Sequence, residues 1–239
     1  MNYPRIIAHR CGGALAPENT LAGLRIAARM GCRGVEFDVM LSADGFPVLI
    51  HDETLQRTTD GRGKVALRPF AALRALDAGV RHGAAFRGEA VPSLDDALAT
   101  CKALGLWVNI EIKPSAGREA ETGRVVGRAL AENWDGNGVV SSFAPAALAA
   151  ARQEGPQFDF ALLADGIPAD WRARLAAAGC GAWHCALDAD PERIAAVAAA
   201  GIPVACYTVN DRASADRLFA AGAAAVFTDR PDLWTPAET

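Results

Sequence analysis

Acids, bases and cations in this sequence come in small groups, each at the end of a short apolar run. His9 and Arg10 follow Ile6–Ala8, and His51 and Asp52 follow FPVLI. Glu36 and Asp38 stand two apart in VEFDV. Glu111 and Lys113 do the same in NIEIKP, with Asn109 one step earlier on the same alternation. Side chains two apart in a strand share a face, so each pair can project into one space. Three carboxylates gathered there repel one another unless positive charge lies between them. An all-oxygen set suits a hard cation, Mg²⁺ or Ca²⁺, better than zinc. The plainer reading is that the three carboxylates pair with Arg10 and Lys113 as structural salt bridges. Three acids at strand ends, one with a lysine two places on, favour a metal site. Histidine as a residue type ionises near neutrality, so of His9 and His51 one can take a proton while the other gives one. Arg10 and Lys113 suit an anionic substrate, arginine matching phosphate geometry in particular. Together these groups point to phosphoryl chemistry, where positioning and charge neutralisation dominate catalysis.

Such groups need a scaffold that collects the ends of separate strands. Runs at Ile6–Ala8, Gly34–Leu41, Phe46–Ile50, Trp107–Ile112, Gly138–Ser141, Phe158–Leu163, Ala182–Cys185, Pro203–Tyr207 and Ala224–Thr228 read as strands. Alanine- and leucine-rich stretches between them read as helices: Glu18–Met30, a helix capped by Ser93 and running to Leu104, Arg118–Asn133, Ala144–Glu154, Ala169–Ala178, Pro191–Ala200 and Arg212–Ala221. Repeated βα units with short connections imply a parallel sheet with helices outside. Without the short Phe46–Ile50 run the strands number eight, which fits a TIM (β/α)₈ barrel with its active site at the C-terminal strand ends. An open doubly wound sheet is the alternative, and the sequence marks no switch point for it. The stretch 51–92 has weak periodicity and many arginines, threonines and glycines. It reads as a small insertion after the second strand, with one short helix near Pro69–Leu76. Residues 1–239 read as a single domain carrying that insertion.

Composition excludes several classes. The chain has 239 residues, 51% of them hydrophobic, so it is not disordered and can bury a large core. Its net charge is −4, with no lysine/arginine tract, which disfavours nucleic-acid binding. No run is long and apolar enough for a transmembrane segment, and MNYPRIIAHR lacks the apolar core of a signal peptide. Six irregularly spaced cysteines without a CxxC pair read as free thiols, so the cytoplasm is the expected location.

The segments HRCGGALAPENT, EFDVMLSADGFPVLIHDETLQRTTDGRG, EIKP, SSF, YTVN and FTDRPD resemble the glycerophosphodiester phosphodiesterases, in that family's order and across nearly the whole chain. The resemblance implies a TIM barrel with a small insertion and hydrolysis of a glycerophosphodiester, such as glycerophosphocholine or glycerophosphoethanolamine, to glycerol 3-phosphate and an alcohol. By position, Glu36, Asp38 and Glu111 would hold one divalent metal, Mg²⁺ or Ca²⁺. His9 and His51 would be the acid–base pair, and Arg10 and Lys113 would contact phosphate. The family mechanism has the glycerol 2-hydroxyl attack phosphorus while one histidine takes its proton and the other protonates the leaving alkoxide. Water then opens the cyclic phosphate. His9 is assigned the base and His51 the acid. Glu18, with Asn19, would brace the first loop, Glu18 orienting a histidine or touching the substrate hydroxyl.

Other positions carry weaker expectations. Tyr207, where the family often has tryptophan, could wall the glycerol pocket or simply pack in the core. Phe143 could wall the mouth, and Trp183 and His184 could line the leaving-group side or sit at the rim with no part in the chemistry. His82 reads as an exposed loop residue. The family usually has glycine where this chain has Cys11. A positive φ there would strain a cysteine unless Gly12 takes over the turn; the residue reads as a tolerated small side chain, with a reactive thiol whose oxidation blocks the site as the sharper alternative. A barrel phosphodiesterase acting on lysophospholipids is the rival reading, but the polar insertion favours a water-soluble substrate. A silent binding protein would have lost histidines or metal carboxylates, and none is lost. An enolising barrel would need a base for carbon acids, whereas Lys113 is placed for phosphate.

Overall fold

In the computed structural model, which describes residues 1–234 and 236–238, strand β1 (Ile6–Ala8) pairs in parallel with both β2 (Gly34–Leu41) and β9 (Ala225–Thr228). That double pairing closes the sheet. The ring continues from β2 through β4 (Trp107–Ile112), β5 (Gly138–Ser142), β6 (Asp159–Ala164), β7 (Ala182–Ala186) and β8 (Val204–Tyr207) to β9, all parallel. Eight strands therefore form a TIM barrel, and the open doubly wound alternative is excluded by closure. The short strand β3 (Pro47–Leu49) lies outside the ring, antiparallel to the end of β2.

Helices α1 (Leu21–Arg29), α3 (Leu94–Leu104), α4 (Glu119–Asn133), α5 (Pro145–Glu154), α6 (Trp171–Ala178), α7 (Pro191–Ala198) and α8 (Arg212–Ala220) follow the strands, and α2 (Phe70–Arg74) lies in the insertion. Their ends follow local chemistry. Ser93 and Asp96 form a reciprocal capping box on α3, and Gly105 ends that helix in the left-handed conformation. Helix α1 starts at Leu21 rather than Glu18 because the Thr20 hydroxyl accepts from Gly23 N and Asn19 is left-handed at φ 56°. Glu18 and Asn19 are thereby left in the loop above the barrel mouth.

Two apolar layers hold the scaffold. Phe37, Ile110, Leu148, Leu175, Ile194 and Leu218 belong to the layer between sheet and helices. Inside the barrel, alanines on four successive strands (Ala161, Ala182, Ala205, Ala225) share the space with Ile7, Trp107 and Phe227. The insertion has a small cluster of its own, with Leu55, Val65, Leu73 and Val91 packed on Met40 and Val48 of the β2–β3 hairpin. Few apolar anchors joined by turns explain its weak periodicity in the sequence. This seating also keeps His51 and Asp52 at the mouth.

The tightest helix contact is between α4 and α5. A Cβ at Gly123 would stand 2.2 Å from Ala147 O, and one at Gly127 would stand 2.5 Å from Ala151 O. Gly127→Ala gains up to about 1 kcal/mol of helix propensity but overpacks a rigid backbone contact, at about 1–3 kcal/mol. Because the contact is with backbone that cannot give, the expected net loss is about 1–2 kcal/mol, a Tm lower by about 2–8 °C. An unchanged or raised Tm in thermal unfolding would show that the two helices part freely.

Candidate active site

Parallel register builds the acidic centre. Asp38 on β2 lies beside Glu111 on β4, and Glu36 lies beside Asn109, one layer deeper. One ligand oxygen each from Glu36, Asp38 and Glu111 falls within 4.8 Å of the others, and all three residues are buried. Burial, then the charges of Asp38 and Glu111, pushes Glu36 well above the usual carboxylate range. Burial and the Asp38 charge push Glu111 up to about 7 against the opposing Lys113. Asp38 goes the other way: burial would raise it, but Lys113, His51 and Arg10, with a hydrogen bond from Asn19, hold it down.

The first loop clasps two of these acids. Arg10 N donates to Glu36 Oε2 at 2.8 Å. Asn19 Nδ2 donates to Asp38 Oδ2 at 2.8 Å, and Asp38 N donates to Asn19 Oδ1 at 3.0 Å. Glu36 Oε1 is buried without a hydrogen-bond partner. A lone pair of that kind among clustered carboxylates is what a hard cation satisfies, so the residues present fit such an ion.

Each mouth histidine is tethered through one nitrogen. His9 Nδ1 lies 2.7 Å from Asp229 Oδ1, and its Nε2 lies 3.8 Å from Glu36 Oε2. His51 Nδ1 lies 2.7 Å from Asp52 Oδ1, and its Nε2 lies 2.7 Å from Lys113 Nζ. A carboxylate on Nδ1 fixes the ring and favours the proton there, leaving Nε2 for chemistry. Burial lowers the His51 pKa, with Asp38 and Asp52 opposing and Arg10 and Lys113 assisting.

Arg57 ties the insertion to this centre. Its guanidinium donates to Asp52 at 2.6 and 2.9 Å and to Glu18 at 2.6 and 2.8 Å. Glu18 in turn accepts from Arg10 at 3.1 Å. Sequence reasoning missed Arg57 and Asp229 as site residues, although both lie in quoted motifs, RTTDGRG and FTDRPD. Asp229 follows β9 directly, so the strand-end criterion that found the other acids could have found it. Arg57 has no such signal, because the insertion has no regular pattern.

A cavity of about 230 Å³ opens at the barrel mouth. His9, Arg10, Glu36, Asp38, His51, Glu111, Lys113 and Tyr207 all line it, as does Phe143. Of the substrate-binding candidates only Glu18 lies outside this lining, with its oxygens engaged by Arg10 and Arg57 and bonded to neither histidine. Tyr207 donates its hydroxyl to Ala164 O at 3.0 Å and meets Phe143 edge-on at 6.0 Å. His82 is exposed, as expected.

Four expectations need correction. Trp183 is not at the rim, because its side chain packs in the layer between sheet and helices. His184 is not at the rim either: it is fully buried at the floor of the cavity, which it lines from below. Cys11 is buried, and burial pushes its thiol well above the usual range, so it is not a reactive cysteine. Gly12 does not take over the turn: Cys11 itself has φ 77°, while Gly12 has φ −124°.

A closed parallel barrel with its ionisable groups gathered at the C-terminal mouth defines a TIM-barrel enzyme. Comparison with known proteins specifies which kind. Residues 9–233 match the glycerophosphoryl diester phosphodiesterase family. A glycerophosphodiester phosphodiesterase of Caldanaerobacter subterraneus subsp. tengcongensis is 31% identical over 95% of this chain and 94% of its own. Among solved structures, an Oleispira antarctica phosphodiesterase in complex with the product sn-glycerol-3-phosphate superposes with a TM-score of 0.93, at 38% identity, covering 96% of this chain and 94% of that one. A glycerophosphodiester phosphodiesterase of Agrobacterium tumefaciens gives a TM-score of 0.75 at 29% identity, over 97% and 98% of the two chains. The chain belongs to the glycerophosphoryl diester phosphodiesterase family, and it is therefore a phosphoric diester hydrolase.

The carboxylate pKa shifts give a stability prediction. Glu36 and Glu111 bind protons more readily in the folded chain than in the unfolded one, so their contribution to metal-free stability falls as pH rises above the ordinary carboxylate range, that of Glu111 being lost through about 7. Metal binding needs both deprotonated. The rise in Tm on adding Mg²⁺ or Ca²⁺ should therefore grow from pH 6 to pH 8. Equal increments at both pH values in thermal scans would count against the triad as the metal site.

Proposed function

We propose that this chain hydrolyses water-soluble glycerophosphodiesters, such as glycerophosphocholine or glycerophosphoethanolamine, to glycerol 3-phosphate and an alcohol, using one divalent cation, Mg²⁺ or Ca²⁺. One observation carries the reading. Two imidazoles flank the carboxylate triad, each tethered through Nδ1 to a carboxylate, with Nε2 at the cavity. The polar clamp of Glu18, Arg57 and Asp52 at the mouth supports a water-soluble substrate over a lysophospholipid. The six cysteines are all free, which supports the cytoplasm.

Glu36, Asp38 and Glu111 would hold the cation, which when bound supplies positive charge against the phosphate oxygens. Arg10 and Lys113 bind the remaining phosphate charge. With Lys113 drawn to phosphate, His51 Nε2 is released, and the substrate's negative charge joins Asp38 and Asp52 in favouring its imidazolium form. His9 Nε2 takes the proton of the glycerol 2-hydroxyl as that oxygen attacks phosphorus. His51 gives its proton to the departing alkoxide, which leaves as the alcohol. In the second half the roles reverse: His51 deprotonates water, and His9 returns a proton to the 2-oxygen as the cyclic phosphate opens. Tyr207 walls the glycerol side. Glu18 acts through Arg10 and Arg57.

Release of glycerol 3-phosphate from glycerophosphocholine should stop with EDTA and return with added Mg²⁺ or Ca²⁺; release indifferent to EDTA would overturn the metal. Glu111→Gln should move the metal titration to higher concentration, and a wild-type curve would remove it as a ligand. His51→Ala should lower kcat by about 10²–10⁴; unchanged turnover would end its assignment. Arg57→Ala should lower kcat by about 10–100-fold with a smaller change in KM. Arg57→Lys should recover only part, because lysine cannot span two carboxylates. Full recovery by lysine would reduce Arg57 to a simple charge.

A further inference from the structure

Level with Glu36, and one layer below Asp38 and Glu111, the cavity ends on Asn109, Leu163, His184 and Phe227. Asn109 and His184 are almost wholly buried, at 1% and 0% exposure. Each keeps one polar atom without a hydrogen-bond partner, Oδ1 of Asn109 and Nδ1 of His184. Their other polar atoms are engaged. Asn109 Nδ2 donates to Ser141 Oγ at 3.0 Å, which leaves Oδ1 as an acceptor. The Tyr3 hydroxyl lies 2.9 Å from His184 Nε2 and 3.7 Å from Met1 Sδ; donating along the shorter contact, to the stronger acceptor, it leaves the ring proton on Nδ1. Burial drives the His184 pKa down to about 3, so the ring is neutral at working pH and cannot serve as an anion site. Phe227 and Tyr3 meet the imidazole edge-on, with centroids 5.2 and 5.8 Å away, and hold its plane.

A fixed donor and a fixed acceptor, both buried and set among apolar walls, are the complement of a hydroxyl group. Buried polar groups left unpaired are costly, which is why such a pair selects for the ligand that satisfies it. Depth agrees. Asn109 precedes Glu111 by two residues on β4, roughly 7 Å at the usual rise per strand residue. That is the reach of a three-carbon chain hanging from a phosphate held at the mouth.

We propose that this floor is a hydroxyl subsite, in which Asn109 Oδ1 accepts from, and His184 Nδ1–H donates to, the terminal hydroxyl of the substrate's glycerol. The inference rests on the proposed hydrolysis of glycerophosphodiesters and deepens it. The glycerol enters head down, its carbon edge passes Leu163 and Phe227, and the variable alcohol stays outside. The subsite distinguishes glycerol from simpler diols, while the attacking 2-hydroxyl is left to the histidines above. His184 is here a specificity residue with no part in proton transfer.

The test compares sn-glycero-3-phosphocholine with its analogue in which the terminal hydroxymethyl group is methyl and the 2-hydroxyl is kept. Choline release should show kcat/KM lower by about 10–100-fold for the analogue in the wild type. In His184→Phe and Asn109→Ala that ratio should fall toward one, through loss on the natural substrate. Calorimetry with glycerol 3-phosphate and the matching deoxy phosphate, in the presence of Mg²⁺, should show the same preference in binding and does not depend on turnover. Equal kcat/KM and equal affinity in the wild type would overturn the subsite and assign the floor to water. A ratio that survives both substitutions would overturn the roles of these residues. No turnover of any diester, with the binding preference intact, would overturn the proposed reaction and leave the subsite standing.

Discussion

Three buried carboxylates within 4.8 Å of one another are the constraint to which the rest of the mouth answers. Taking one charge out of water is costly, and placing like charges side by side adds to the cost. The structure splits the burden unequally. Asp38, with Lys113, Arg10 and a two-point clasp from Asn19, stays easily ionised. Glu36 and Glu111 keep raised pKa values. A chain that needed only stability would replace these groups with apolar ones, as buried ion clusters generally permit. Their retention makes sense where a divalent cation completes the charge balance.

The first loop is bent to meet that constraint. Arg10, Cys11 and Asn19 all have positive φ, at 49°, 77° and 56°. A non-glycine residue in this region typically costs on the order of 1 kcal/mol. In return the loop delivers Arg10 N to Glu36 and the Asn19 side chain to Asp38, contacts that an ordinary strand-to-helix turn would not make. Cys11 shows the same logic. Its amide donates to Glu36 O at 2.6 Å, and its side chain fills a closed space against Gly23, where even an added Cβ would come within 2.9 Å. The position tolerates a small buried side chain under strain because the backbone path is fixed by the acids below.

Legibility in the sequence followed regularity. The barrel was readable because strand and helix periods alternate around the whole chain. The triad and both histidines were readable because strand alternation places Glu36 with Asp38 and Glu111 with Lys113 on common faces. The insertion was not readable in detail: Arg57 reaches Asp52 and Glu18 through long-range geometry that no period encodes. His184 failed for a subtler reason. Alternation correctly sets it and Trp183 on opposite faces of β7, but depth along the strand decides between rim and floor. Depth depends on the stagger of neighbouring strands, which only the closed barrel fixes.

That stagger has a chemical consequence. Small side chains line much of the barrel interior from β6 to β9, while β4 and β9 contribute Trp107 and Phe227. A uniformly large-residue interior would fill the barrel to its mouth, as packed TIM cores do. Here the cavity descends one layer below Asp38 and Glu111, level with Glu36, to where Asn109 and His184 meet it. The Tyr3–His184 contact then links the floor of the site to the N-terminal segment just ahead of β1. The same sheet therefore sets two separate selections: charge at the mouth, through ions on strand ends, and shape with hydrogen bonding at the floor, through one neutral imidazole and one amide. Phosphate satisfies the first and glycerol the second, and a single molecule that offers both in the right order can occupy the whole depth.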